Sequence, residues 1–341
     1  MMQAYDIAVI GAGVMGTNVA YQAAREHPDK RIALIDRDKI GAGCSGYAGA
    51  IISPISLTAA HQQQTALSRD WYEDPALGCQ HLLRQLDTLI VYSDASQETL
   101  NQKTDLLTPV QCEVPGWLSP PSHLQLSQSR ATLWGNVFEI CQHLAYANDS
   151  VDVYECLAVR DFKRSDDGWQ LSMSDGRTLH AGQVVVAKGA WLSAEEQSCD
   201  LIINRKKVVA YEIDAPVDET SPLVYLYDQG AFLLPLLHKQ RWIMSITSQQ
   251  WGCMPERNEC EISQEDRQIA ETILQQHAPS LIGALRGGRC HSDGYVRERR
   301  PQVVASQPGQ LVIGGGSGSG FRFAPAVGRQ ACELLFSNPT V

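Results

Sequence analysis

Gly11, Gly13 and Gly16 stand at GxGxxG spacing inside the stretch YDIAVIGAGVMG, residues 5–16. Glycines in that pattern can hold a diphosphate. The first allows a tight turn, the second lets the backbone approach the phosphates, and the third lets a helix pack closely on a strand. The anion then meets a helix N-terminus, where free N–H groups and the helix dipole favour negative charge. Asp36 follows 20 positions after Gly16, where an acid can accept hydrogen bonds from an adenosine ribose. Together these residues predict a dinucleotide site. Arg37 stands beside Asp36, but the acid itself would repel a 2′-phosphate.

Three elements must position this set. The apolar run at residues 7–10 predicts a buried strand, residues 17–26 a helix, and residues 31–36 a second strand that ends in Asp36. That is the opening of a βαβ unit. The segment DKIGAGCSGYAGAIISP, residues 38–54, is small and glycine-rich. Residues 48–52 are too apolar for a free surface loop, so this backbone is expected to lie against a flat cofactor.

The chain has 341 residues, 44% hydrophobic and 19% charged, with a formal net charge of −10. Such a chain can bury a large core and suggests two domains. The charge argues against nucleic acid or an anionic membrane as a partner. No apolar run reaches the roughly 20 residues needed to cross a bilayer, and no signal-like segment opens the chain. The ten cysteines (44, 79, 112, 141, 156, 199, 253, 260, 290 and 332) form no CxxC pair. This scatter suits a reduced cytoplasm better than a disulfide framework, and no metal site is expected.

Further along, residues 57–72 and 75–86 read as helical, 88–92 as a short strand and 98–102 as a helical piece. Residues 109–121 read as a proline-rich loop and 134–146 as an amphipathic helix. Strands are expected at 151–155 and 157–162. A hairpin of 169–173 and 177–180 follows, then the apolar strand 184–187 and the segment KGAW, residues 188–191. The nucleotide-binding unit thus resumes after an insertion. Residues 207–246 hold strand candidates at 208–213, 224–227, 232–234 and 242–246, which suggests a mainly antiparallel sheet. A helix is expected at 265–277, with Ser263 and Asp266 forming an imperfect capping box. The chain closes with a strand at 311–313, the run GGGSGSGFRFAPAVG (314–328) and a helix to about residue 336. Two strand–glycine turn–helix units at opposite ends of one chain suggest one long cofactor contacted at both ends.

At this point the chain resembles the D-amino acid oxidase superfamily of FAD-dependent oxidoreductases, with glycine and sarcosine oxidases near it in size. The pieces that carry the resemblance are GAGVMG with Asp36, GAGCSGYAGAIISP, LAVRDF, VVVAKGAW and GSGSGFRFAPAVG. It implies an α/β fold: a Rossmann-like FAD-binding domain (1–85, 147–200 and 291–341) with an inserted antiparallel-sheet substrate domain of α+β type (86–146 and 201–290). It implies FAD as cofactor, with Gly11, Gly13, Val14, Met15 and Gly16 at the pyrophosphate and Asp36, beside Arg37, at the ribose. Cys44, Ser45, Ala48, Gly49 and Ala50 would lie along the isoalloxazine and ribityl chain, and Val159 would meet adenine through its backbone. Gly189 and Trp191 would approach the diphosphate or ribityl side. Gly318, Ser319, Gly320 and Phe321 would lie near the flavin pyrimidine edge, with Arg297 and Arg322 also within reach of the cofactor.

The same resemblance implies oxidation of the C–N bond of a small carboxylate-bearing amine, by hydride transfer to flavin N5. Dioxygen or another carrier would accept the electrons. An arginine in a G-x-R-P segment holds the substrate carboxylate in D-amino acid and glycine oxidases. Here the segment is GYVRERRP (294–301), so Arg297 is the match and Arg300 its rival. Sarcosine oxidases use a lysine in a GFK segment, and Arg322 stands in that place. Tyr227, Phe232 and Tyr47 would line the substrate cage. The strand 242–246 lacks the lysine that sarcosine oxidases use near N5, and no cysteine falls in 301–331, so non-covalent FAD is expected. An oxidase or dehydrogenase of N-alkyl or cyclic amino acids is an alternative. An FAD-linked 2-hydroxy acid dehydrogenase and a flavin-binding subunit of a hetero-oligomer are others. A homo-oligomer is compatible with the sequence.

Overall fold

The computed structural model describes residues 3–53, 55, 58–197, 201–255 and 260–337. Pro54, Leu57, Cys199 and the domain edge at residue 200, which enter the expectations above, lie outside the described residues. In chain order the elements are β1 (Gln3–Ile10), α1 (Val14–Glu26), β2 (Ile32–Ile35), α2 (Cys44–Tyr47), β3 (Ile51–Ile52), α3 (Ala59–Glu73), β4 (Leu83–Ser93) and α4 (Asp94–Lys103). Then come β5 (Leu124–Gly135), α5 (Val137–Tyr146), β6 (Val151–Tyr154), β7 (Val159–Ser165), β8 (Gly168–Met173) and β9 (Thr178–Val186). The chain continues through β10 (Asn204–Ile213), β11 (Leu223–Leu226), β12 (Ala231–Leu236), β13 (Arg241–Trp251) and α6 (Gln264–His277). It ends with β14 (Leu285–Tyr295), β15 (Gln302–Gln307), β16 (Gln310–Gly314) and α7 (Gly320–Ser337).

The first sheet has the order β15-β16-β9-β1-β2-β6, with β7 and β8 attached through β9. Its central pairs, β1 with β2 and β9, β2 with β6, and β9 with β16, are parallel. Strands buried on both faces must be apolar throughout, and Ile7 to Ile10 and Val184 to Val186 are 4% exposed or less. One face packs on α1, α5 and α7, where Val19, Ile140 and Val327 meet. The other is covered by the β7–β8 hairpin through Trp169 and Leu171.

The second sheet has the order β14-β10-β13-β12-β11-β4-β5-β3. It is antiparallel except where β11 runs parallel to β4. Side chains alternate across it. Leu89, Val224, Leu233, Met244 and Tyr211 face α6 and bury there. Cross-strand partners share a face, so Ile90, Tyr225, Phe232, Ser245, Ala210 and Arg289 form one row on the opposite side. α6 is held by a complete capping box, in which Asp266 Nα–H donates to Ser263 Oγ and Ser263 N–H to the Asp266 carboxylate. Buried Lys207 Nζ sits 2.5 Å from Asp266 Oδ2.

Several boundaries differ from the sequence reading. Residues 75–86 are not a helix: two short 3₁₀ turns, Pro75–Leu77 and Gln80–Leu82, flank Gly78 at φ +73° and lead into β4. β4 is longer than 88–92 because β5 pairs along its length. Helix α5 begins at Val137, since Trp134 and Gly135 close β5 against β4. Residues 177–180 and 184–187 merge into the single strand β9. β5, β14 and β15 were not anticipated, and β14 (LRGGRCHSDGY) has no alternating pattern, taking its shape from β10.

The expectation of a reduced chain without a disulfide framework meets one exception. Cys253 and Cys260 form a disulfide with a Cα–Cα distance of 6.2 Å. Cys253 follows the end of β13, and its proximity to Cys260 is one that motif spacing does not reveal.

Candidate active site

The first glycine turn has no room for side chains. A Cβ on Gly16 would fall 1.9 Å from Gly11 O, and one on Gly11, at φ +101°, would fall 2.5 Å from Ala187 O. Gly13 is different, because its only near neighbour would be Ser45 Oγ at 3.2 Å. Gly11 and Gly16 therefore build the turn, while Gly13 leaves its outer side clear for an anion. Val14 N–H, at the start of α1, donates to Ser45 Oγ at 2.9 Å. Asp36 holds the turn from behind, accepting from Ala12 N–H at 2.7 Å and from Asp38 N–H at 2.9 Å. Burial pushes its carboxyl above the ordinary range. Arg37 lies over the Trp191 ring, 4.6 Å from its centroid.

The two glycine turns are neighbours. The Met15 methyl would lie 3.4 Å from a Cβ on Gly316 and 3.5 Å from one on Gly320. The N-termini of α1 and α7 thus converge on one cleft. Ser319 O accepts the Phe323 N–H at 3.2 Å and so begins α7. Gly318 has φ +75°, and Gly189, at φ +57°, faces open space. A cleft with two helix N-termini, an acid at one end and clear glycines along it fits a long dinucleotide.

α2 and its flanks carry Cys44, Ser45, Tyr47, Ala48, Gly49 and Ala50. A Cβ on Gly49 would lie 2.8 Å from the Phe232 ring, so Phe232 presses on this loop from the second sheet. Ala50 is at φ +50°, with its carbonyl accepting the Gly135 N–H at 3.1 Å. Val159 opens β7 opposite Met173. Phe321 was also expected beside the cofactor. Its ring stacks on Tyr72 at 4.5 Å, inside the core.

β14 ties the α2 segment to the second glycine turn. Cys44 Sγ donates to Ser292 O at 3.0 Å, and Tyr47 stacks on His291 at 5.6 Å. Arg289 lies over Tyr47, 5.6 Å from the ring centroid. Asp293 accepts from Gly318 N–H at 2.6 Å, and Ser317 N–H donates to Gly294 O at 2.9 Å. Burial pulls His291 down to about 4, helped by Arg289, and pushes Asp293 up to about 6. Neither Arg289 nor Asp293 stood out in the sequence.

The expected substrate residues separate. Arg322, on the first turn of α7, donates through Nη1 to Ile55 O at 3.1 Å, while its Nε is buried with no partner among the described residues. Burial lowers it to about 10, and the nearby Tyr225 opposes that shift. Tyr225 and Tyr227 meet edge to face at 5.9 Å, and Tyr225 stands opposite Phe232. Arg322, Tyr225, Tyr227 and Phe232 thus share one region. Arg297 is exposed on the turn after β14, and Arg300 is half-buried near His61. No hydrogen bond or ion pair joins Arg297 to the other candidates among the described residues. Tyr225 was missed, although it lies on the same strand face as Tyr227.

A parallel sheet of this topology with two adjacent glycine turns at helix N-termini fits a dinucleotide-binding protein. The family model described as FAD dependent oxidoreductase matches residues 6–334, and the chain belongs to that family. The glycine oxidase of Geobacillus kaustophilus (strain HTA426) is 25% identical over 69% of this chain and 68% of its own. The N-methyl-L-tryptophan oxidase of Salmonella arizonae (strain ATCC BAA-731 / CDC346-86 / RSK2980) is 22% identical over 97% of this chain and 94% of its own. Among solved structures, the L-proline dehydrogenase from P. horikoshii superposes with a TM-score of 0.81 at 17% identity, covering 99% of this chain and 94% of its own. Glycine oxidase from Geobacillus kaustophilus gives 0.74 at 16% identity, covering 100% and 96%. The protein is an FAD-dependent oxidoreductase. No helix among the described residues is long and apolar enough to cross a membrane.

Proposed function

We propose that the protein oxidises the C–N bond of a small carboxylate-bearing amine, of the glycine or D-amino acid kind. The observation that carries this reading is Arg322, which lies near Tyr225 and whose buried Nε has no partner among the described residues. A buried cation without a counter-ion is costly unless a ligand supplies one. A carboxylate suits it, because the guanidinium fork offers parallel charge-assisted hydrogen bonds.

FAD, when bound, supplies the two-electron acceptor for the hydride lost from the α-carbon. Gly13, Val14 and the start of α7 would hold its phosphates, and Asp36 its ribose. Arg322 would fix the carboxylate, and Tyr225, Tyr227 and Phe232 would exclude water and turn the α-carbon toward the Gly49 loop. Position and desolvation then do most of the work. The amine leaves as an imine, which water converts to an oxo acid and ammonia, with dioxygen reduced to hydrogen peroxide. We take the FAD as non-covalent. The division into an FAD domain and a substrate domain follows the two sheets, with β14 serving both. The aliphatic side chains of Ile55, Ile90 and Leu107 beside the two tyrosines support a second reading, an N-alkyl or cyclic amino acid.

The test is the visible spectrum of the holoprotein under anaerobic addition of glycine, sarcosine, D-alanine, and D- and L-proline. Bleaching of the flavin by at least one is expected. A flavin that no carboxylate-bearing amine bleaches would overturn the reading.

A further inference from the structure

Lys103 closes the C-terminal end of α4 and donates from Nζ to Tyr227 Oη at 2.7 Å. The same ammonium lies 5.2 Å from the centre of the Tyr227 ring. Among the described residues no carboxylate lies within 4.0 Å of it. Among the described residues Arg322 likewise has no acidic neighbour at ion-pair distance, and it approaches Tyr225. Two cations without counter-ions therefore flank one pair of tyrosines whose rings are 5.9 Å apart. This occurs in a chain of net charge −10, where acidic partners are plentiful. The two tyrosines pack with Ile55, Ile90, Tyr92, Leu100 and Leu107.

We propose that the substrate carries two carboxylates, one received by Arg322 and the other by Lys103 with the Tyr227 hydroxyl. This rests on the reading of Arg322 as the first carboxylate's partner and narrows the substrate to an amino dicarboxylate. The second acid can stand on the side chain or on the nitrogen substituent, since both place an anion at the same cation. Lys103 is a binding residue in this account. The competing role is a structural clasp: Asp228 accepts from Ser93 N–H at 2.7 Å at the other end of α4, so the Tyr227–Asp228 corner also fastens that helix.

The experiment measures perturbation of the flavin absorbance by unreactive acids (acetate, malonate, succinate and glutarate) on the FAD-loaded full chain at low salt. Glycine, D- and L-aspartate and N-carboxymethylglycine are then compared in anaerobic reduction. At least one dicarboxylate should bind about tenfold more tightly than acetate, the gain expected of one charge-assisted contact. Lys103→Met should remove that advantage and leave acetate unchanged. Aspartate against N-carboxymethylglycine tells side chain from nitrogen substituent. Equal affinity for mono- and dicarboxylates, or a dicarboxylate advantage that survives in Lys103→Met, would overturn the proposal. A clasp would instead lower the melting temperature and weaken acetate as much as succinate, which also overturns it. Lys103→Gln, which keeps a donor for Tyr227, provides the comparison if the Met variant melts early. Failure of the parent reading looks different: no acid of either kind would perturb the flavin.

Discussion

The two ends of the cleft are built by different means. At the nucleotide end the shape is set within a few residues, because Gly11, Gly13 and Gly16 fix the turn by what they lack. At the substrate end the shape comes from pairing across a sheet. Tyr225 faces Phe232 because β11 pairs with β12. Arg289 joins the same row three strands away, through β13 and β10. The first end depends on the absence of atoms and the second on the register of distant strands. A single added methyl should therefore be ruinous at one end, whereas at the other the effect of a change should follow its charge.

The largest effect is expected from Gly16→Ala. Its Cβ would lie 1.9 Å from a backbone oxygen that cannot move aside alone. We expect a loss of about 3 kcal/mol or more in stability, with FAD no longer retained on gel filtration. Normal flavin content in this variant would show that the turn is not built by exclusion.

A smaller effect is expected at β14, where the two ends meet. The Asp293 carboxyl is held up at about 6, above the ordinary value of about 3.9. Folding thus favours its neutral form. Its contribution to stability is fully present below the unfolded value and is lost as pH rises through about 6. Wild-type apoprotein should lose about 1–2 kcal/mol relative to Asp293→Asn between pH 4 and pH 7. Melting curves of both proteins across that range check this, and parallel curves would mean that the carboxyl is not desolvated. His291 moves in the opposite sense, being held down at about 4, so the comparison requires the Asn variant rather than the wild-type profile alone.

The same contrast explains what could be read from the sequence. GxGxxG, Asp36 and the second glycine run are local, and their spacing carries the geometry; with the flanking strands they led to the family. Arg322 was legible because it sits inside the second run. β14 was not, since its glycines and polar residues show no alternation and the strand exists only through β10. Lys103 and Tyr225 join the proposed substrate end solely by register and by the seating of α4. Arg297, read as the match to a G-x-R-P segment, stands on an exposed turn that the sequence could not distinguish from the strand beside it. The Cys253–Cys260 pair was hidden for the same reason, as a contact that no motif spacing announces.

The most direct measurement compares Arg322→Met and Arg297→Met, each loaded with FAD, in anaerobic titrations with the amine that best bleaches the wild type. The account predicts that Arg322→Met weakens apparent affinity by about 30-fold or more, as expected when a buried charged contact of about 2 kcal/mol is removed. Arg297→Met should stay within about threefold of wild type. A wild-type response from Arg322→Met, with the loss falling on Arg297→Met, would contradict it and move the carboxylate to the turn after β14.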